Sequence, residues 1–368
     1  MAEYPEDLLT RPAAAAAALV CLALLDAAHD AAQRLADPSD SEALHDFRVA
    51  VRRLRSILRS FRSELDDWVP RKLRNRLRDL TRATTPGRDA EVLIASVKAL
   101  EAKVTRGQRA GVPWLLARFA DQRDRAYDQI RRELAPEFQR LERRLRRALW
   151  SAARAPGGST SDVPTFGAVA AGLLSEQTAL LEQELATLQS ADDESTAHAI
   201  RITAKRLRYL LESLVGAEPR AAAVLARAKA IQTSLGELHD LQVLAAHLAD
   251  AVGDAAAERA RRLHALSLSG GRPRSPAKGE GPRAATTGML ALARLVRRAQ
   301  DDLFQRFAAD WQSDSRAELG SEVAIVAAAL APAPTPLPQP RRQSRKPRPL
   351  RRRNRTLAAP TALGPDPA

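Results

Sequence analysis

The chain has 368 residues, 45% of them apolar but only 4% aromatic, and a formal net charge of +14. That length suffices for one large helical domain or two small bundles with real cores, and a core so poor in aromatics must be built from Ala, Leu and Val, which favours helix over strand. Cys21 is the only cysteine, which excludes an intrachain disulfide and fits a reducing cytoplasm.

In chain order, the first element is the apolar run Pro12–Leu25. It is too short to span a bilayer, and the residues before it include Glu3, Glu6 and Asp7 where a secretory signal would be basic. A buried first helix is expected, with no membrane association. Helical periodicity continues to Arg154, with breaks at Asp37-Pro38, Pro70, Thr85-Pro86-Gly87, Gly111–Pro113 and Pro136. Residues 1–154 form a first helical half, and 155–165, rich in Gly, Pro and Ser, read as a linker. A second half covers 166–330. Within it, 267–288 reads as a disordered insert, followed by helices at Met289–Trp311 and Arg316–Leu330. Residues 331–368 form an Arg/Pro-rich tail expected to be disordered.

The charge is unevenly spread. The tail carries +8 and the insert +3, which leaves +3 for the rest. A strong anion site in the folded part must therefore come from local clustering.

The two halves repeat each other. His45-Asp-Phe-Arg48-Val-Ala-Val-Arg52-Arg53-Leu-Arg55 aligns with His198-Ala-Ile-Arg201-Ile-Thr-Ala-Lys205-Arg206-Leu-Arg208 at an offset of 153 residues. Arg88-Asp89 aligns with His239-Asp240 at an offset of 151. Two matches in the same order and at nearly the same offset point to a duplicated helical unit.

The helix near Ser39 opens with a capping box, Ser39-x-x-Glu42. Phe47, Val51, Leu54, Leu58 and Phe61 follow the spacing of a core face. His45, Arg48, Arg52, Arg55, Arg59 and Arg62 follow the same spacing one residue on, as a stripe about 100° around the helix. A stripe beside the core face lies at a helix–helix groove. It spans about 20 Å with no acid interrupting it, a repulsive arrangement that a polyanion would relieve. The second stripe is His198, Arg201, Lys205 and Arg208; Glu212 and Val215 stand where Arg59 and Arg62 would recur. Arg53 and Arg206 point off the stripes, toward a neighbouring groove or the partners Asp89 and Asp240. A salt-bridged surface helix would instead interleave acids at i+4.

Other chemistry is poorly supported. Neither His45 nor His198 has a second ligand at metal spacing within its helix, so no metal or cofactor is expected. His239-Asp240 reads as an arginine-orienting element before a catalytic dyad. No P-loop or nucleophile elbow occurs. A non-enzymatic role is the expectation. Nucleic-acid binding through the tail, Arg341–Arg355, is one alternative, although neither duplicated stripe is interleaved with the aromatics that single-strand binders use. A helical adaptor for a protein partner is another.

At its duplicated stripes the sequence resembles the CHAD family, the conserved histidine α-helical domain. His45-x-x-Arg48-x-x-x-Arg52-Arg53-x-Arg55 and His198-x-x-Arg201-x-x-x-Lys205-Arg206-Leu-Arg208-Tyr209 look like its two signature helices. Thr85–Asp89 and Leu235–Asp240 look like the turn elements that follow them. The resemblance implies an all-α fold of two tandem four-helix bundles with pseudo-two-fold symmetry around a basic groove. It also implies binding of inorganic polyphosphate by Arg48, Arg52, Arg53 and Arg55 with Arg201, Lys205, Arg206 and Arg208. Arg78 and Lys229, equivalent at an offset of 151, join them. Pro86 in the first turn and the insert depart from the family pattern. A cytoplasmic protein associated with polyphosphate granules is the corresponding expectation.

Overall fold

The computed structural model describes residues 4–37, 40, 42–105, 109, 111–155, 163–268, 282–311 and 313–331. The capping Ser39, most of the linker and the tail beyond 331 lie outside them. Among the described residues the fold is all-α, with no named strand. The helices are α1 (Ala13–Arg34), α2 (Ala43–Ser60), α3 (Arg62–Leu65), α4 (Arg71–Ala83), α5 (Thr85–Glu101), α6 (Val112–Ala153), α7 (Phe166–Thr187), α8 (Glu194–Glu212), α9 (Ala221–Leu268), α10 (Pro282–Asp310) and α11 (Ser313–Leu330).

The apolar run opens α1, which continues to Arg34. That length and composition would allow a membrane crossing. Its Ala16, Ala17, Ala18, Val20, Cys21 and Leu25 are all fully buried in the protein, so it serves as a central core helix. At the start of α2, Asp40 does the capping: its carboxylate accepts from the Glu42 and Ala43 amides, both at 3.0 Å. The core face is as expected, with Phe47, Val51, Leu54, Leu58 and Phe61 buried.

One expected break, Pro136, is absent, whereas the one at Thr85-Pro86-Gly87 is present as the boundary between α4 and α5 at Thr84. Pro136 lies inside α6, which runs unbroken for 42 residues, about 63 Å. An internal proline costs roughly 3 kcal/mol of helix; the buried Leu134, Phe138 and Leu141 around it offset that through the core. Nor are the two elements after the stripes turns. Thr85–Asp89 is the first turn of α5, with its proline at a helix start, and Leu235–Asp240 lies in mid-α9. Gly87 has a reason of its own, since a Cβ there would press on the Tyr127 ring at 3.3 Å. The ends of the expected insert 267–288 are helical, since α9 reaches Leu268 and α10 begins at Pro282; residues 269–281 lie outside the described residues.

Some neighbour relations recur in the two halves. α1 packs on α2 and α6 as α7 packs on α8 and α11, and α5 lies on α6 as α9 lies on α10. The cores, however, do not divide by halves. The large one draws on α1, α2, α4 and most of α6 together with α7, α8, α9, the end of α10 and α11. A smaller one gathers α5, the first part of α6, the later part of α9 and α10. At the other end, the Ala13 amide donates to the Pro164 carbonyl at 3.0 Å and the Phe166 amide to the Arg11 carbonyl at 2.9 Å. These bonds tie the chain's first residues to the start of α7.

Candidate anion-binding cleft

α2 and α8, the two stripe helices, pack against each other in the large core. Beside their contact, α4, α5 and α9 complete a cleft of about 710 Å³. From α2 it takes His45, Arg48, Arg52, Arg55 and Arg59; from α8, Arg201, Lys205, Arg206 and Arg208; and from α5, Arg88. Against these nine arginine and lysine side chains stand two carboxylates, Asp89 and Asp240.

The periodicity of α2 explains how one helix serves both core and cleft. Its apolar side chains fill one face, and the adjacent face must then lie along the groove to α8. Burial there is costly for cations. It pushes the Arg48 guanidinium down to about 10, with neighbouring Arg52 adding to the effect. It pushes Lys205 down to about 7, with Arg201 and Arg52 next in weight. Arg201 and Arg55 are lowered in the same way, by burial first, and so is Arg206, which also feels Arg59. Arg52 and Lys205, equivalent by the internal repeat, thus repel each other across the cleft. Desolvation and like-charge crowding act together, the condition an incoming polyanion would relieve.

The carboxylates only partly relieve this crowding. Burial raises both Asp89 and Asp240 above the usual carboxylate range. The charge of Arg48, followed by His247, Arg88 and Arg201, opposes that rise at Asp89, and the charge of Arg201 chiefly opposes it at Asp240. His239 is held down to about 4 by burial and by Arg201, so it is neutral at physiological pH.

Several contacts hold the arginines in place. The Arg48 guanidinium donates to the buried Thr84 hydroxyl at 2.6 Å, and Thr84 donates to the Thr81 carbonyl at 2.8 Å. Arg208 donates to Gln232 of α9 at 3.1 Å and to Glu212 of its own helix at 2.8 Å. Arg88 donates to Glu91 at 3.1 Å, and Glu91 also accepts from the Tyr127 hydroxyl of α6.

Some expected residues fall elsewhere. Arg53 does not line the cleft or meet Asp89 or Asp240; it makes an ion pair with Glu212 at 2.8 Å. Arg62 leaves the stripe because α2 ends at Ser60, and it pairs with Asp66 at 3.2 Å. The stripe therefore ends at Arg59 and spans about 16 Å. Arg78 is held by Asp79 at 3.0 Å, outside the lining but close enough to depress Arg55. Lys229 is exposed on α9 and does not line the cleft. His198 also stays off the lining, with its ring 6.1 Å from that of His239. Conversely, Arg88, Thr81, Thr85, Tyr209 and Gln232 line the cleft without having been expected as binding residues. For Arg88 the signal was present, since the Arg88-Asp89 pair recurs as His239-Asp240.

The model of the CHAD domain matches residues 17–249. No curated protein matches the chain. Among solved structures, the chain is similar to the CHAD domain from the plant Ricinus communis, at 23% identity and a TM-score of 0.58, over 83% of this chain and 91% of that one. It is also similar to PptA from Streptomyces chartreusis, at 18% identity and a TM-score of 0.51, over 82% of this chain and all of that one. The matched segment takes in both stripe helices and the elements that follow them, and the chain belongs to the CHAD domain family.

Proposed function

We propose that this protein binds inorganic polyphosphate in the cleft between α2 and α8 and holds it without cutting it. The carrying observation is the crowding of nine cationic side chains, several pushed toward losing their protons, around two carboxylates. Arginine supplies planar, forked donors that suit phosphate oxygens and keep their charge at physiological pH. Polyphosphate offers only charge and acceptors, and the cleft is dominated by cationic donors; Tyr209, its one Phe, Tyr or Trp side chain, is buried in the wall and gives a base no platform. Holding is favoured over hydrolysis because the polar lining is dominated by groups that do not exchange protons near neutral pH.

In this reading the two stripes act as the facing walls of one pseudo-two-fold groove. Arg48, Arg52, Arg55 and Arg59 form one wall and Arg201, Lys205 and Arg208 the other. The protein is then expected in the cytoplasm at polyphosphate granules, with the basic tail adding long-range attraction.

The test is a titration of the full chain with long-chain polyphosphate between 50 and 200 mM salt. The affinity should fall steeply, by a log–log slope of about 0.7 for each phosphate neutralised, and the polymer should be recovered at its original length. A shallow slope, or shortened polymer, would contradict the reading.

A further inference from the structure

A third basic stripe lies on the last turns of α6, on no wall of the cleft. Arg143, Arg147, Trp150 and Arg154 follow one another at helical spacing over about 16 Å. With Arg146 and Ser151 they line an open recess of about 660 Å³. The opposite face of this segment is buried through Leu141, Leu145, Leu149 and Ala152. The stripe therefore points outward.

Two features separate it from an ordinary charged face. First, its arginines are unevenly paired. Arg146 is tied to Asp26 of α1 at 2.6 Å and to Glu142 at 2.8 Å. Arg143, Arg147 and Arg154 make no ion pair among the described residues, and all three are exposed. Second, an aromatic sits in the middle of the stripe. Trp150 is 42% exposed, while Trp68, Trp114 and Trp311 are all more buried. The Arg154 guanidinium lies 5.2 Å from the Trp150 ring centroid, a cation–π contact that steadies the indole from one side.

We infer that this face of α6 binds single-stranded nucleic acid, with one base stacked on Trp150 and the flanking phosphates on Arg143, Arg147 and Arg154. A tracking row of cations with an aromatic platform among them is what such polymers require. The arrangement is the converse of the cleft, which has charge without an accessible Trp, Tyr or Phe ring. Inorganic polyphosphate would use the arginines here but leave Trp150 idle. An anionic membrane would call for several exposed apolar groups in a row, and Trp150 is the only large one exposed on α6 among the described residues.

The test compares the full chain with Trp150→Ala and Trp150→Phe. Each is titrated with a fluorescent oligouridylate of 20 nucleotides, with oligothymidylate, and with polyphosphate of matched charge. Trp150→Ala should weaken the RNA about tenfold, Trp150→Phe should restore most of the loss, and polyphosphate affinity should stay within twofold. Similar losses for RNA and DNA would mark general base stacking; a loss for RNA alone would add contacts to the ribose hydroxyl. Unchanged RNA binding in Trp150→Ala would overturn the proposal, leaving any RNA affinity to the tail. So would equal losses for RNA and polyphosphate. Binding to anionic vesicles that is lost in Trp150→Ala while RNA binding persists would overturn it in favour of a membrane surface. Because Trp150 lies at the surface, the variants should keep the native circular dichroism melting curve.

Discussion

Arg53 of α2 reaches Glu212 of α8 at 2.8 Å, which joins the two halves of the chain beside the cleft. The approach has the distance of an ion pair but not the angle of a hydrogen bond. Glu212 also accepts from Arg208 at 2.8 Å, so one carboxylate braces both stripe helices. It stands where the repeat would place a counterpart of Arg59. An acid therefore occupies a stripe position and serves as the junction.

Glu212→Gln should cost stability and spare function. Glu212 is 15% exposed, but Arg53 is 38% exposed and solvent screens its share. A loss of about 1–2 kcal/mol is expected, measured by urea unfolding, while polyphosphate affinity holds or rises because a nearby negative charge is gone.

Lys205 should make binding depend on pH. Its folded-state value is near 7, so a growing fraction is neutral above that pH, and a bound polyanion would draw the proton back. Affinity should fall as pH rises from 7 to 9, with proton uptake visible as calorimetric heats that vary with buffer ionisation enthalpy. Lys205→Arg should flatten the profile.

The sign for stability is opposite. The unfolded lysine keeps a value of about 10.4, so between 7 and 10.4 the unfolded state binds more protons at this site. The site's contribution to stability therefore rises with pH across that window and is least favourable below 7. Lys205→Met should raise the melting temperature at pH 6 while weakening polyphosphate binding, the trade expected of a functional site.

Thr84 links the α4–α5 junction to the cleft. Thr84→Val removes the acceptor for the Arg48 guanidinium and the donor to Thr81. A stability loss of about 1–2 kcal/mol is expected, together with a several-fold drop in polyphosphate affinity as Arg48 loses its fixed position. Thr84→Ser should behave like the native chain in both assays.

The tail should be dispensable for the cleft. Deleting residues 331–368 removes +8 of charge and should slow association at low salt while leaving a cleft-dependent affinity at physiological salt. Loss of all binding on deletion would move the site to the tail.

How much of this was legible depended on the range of the interaction. The α2 face was readable because core and stripe lie on one helix at one spacing. Arg53 was read correctly as off the stripe, but its partner comes from the other half and no local pattern announces it. Pro86-Gly87 was read correctly as a break, since α4 gives way to α5 at Thr84, but not as a longer turn, because proline also suits the first turn of a helix. Pro136 was misread as a break because local propensity cannot see the core on both sides of it. Lys229 was carried over by repeat offset alone and sits on an exposed face of α9. The α6 stripe was passed over although its spacing matches that of α2.

The central claim is tested most directly by titrating long-chain polyphosphate and charge-matched single-stranded RNA, at physiological salt, into the native chain and Arg52→Ala/Lys205→Ala. Arg52 and Lys205 both line the cleft, one from each stripe, and Arg52 helps depress Lys205. Tight polyphosphate binding that the double variant loses by at least tenfold, with RNA binding little changed, is the expected result. Equal polyphosphate affinity in both proteins would contradict the account and reduce the two stripes to a solvated face.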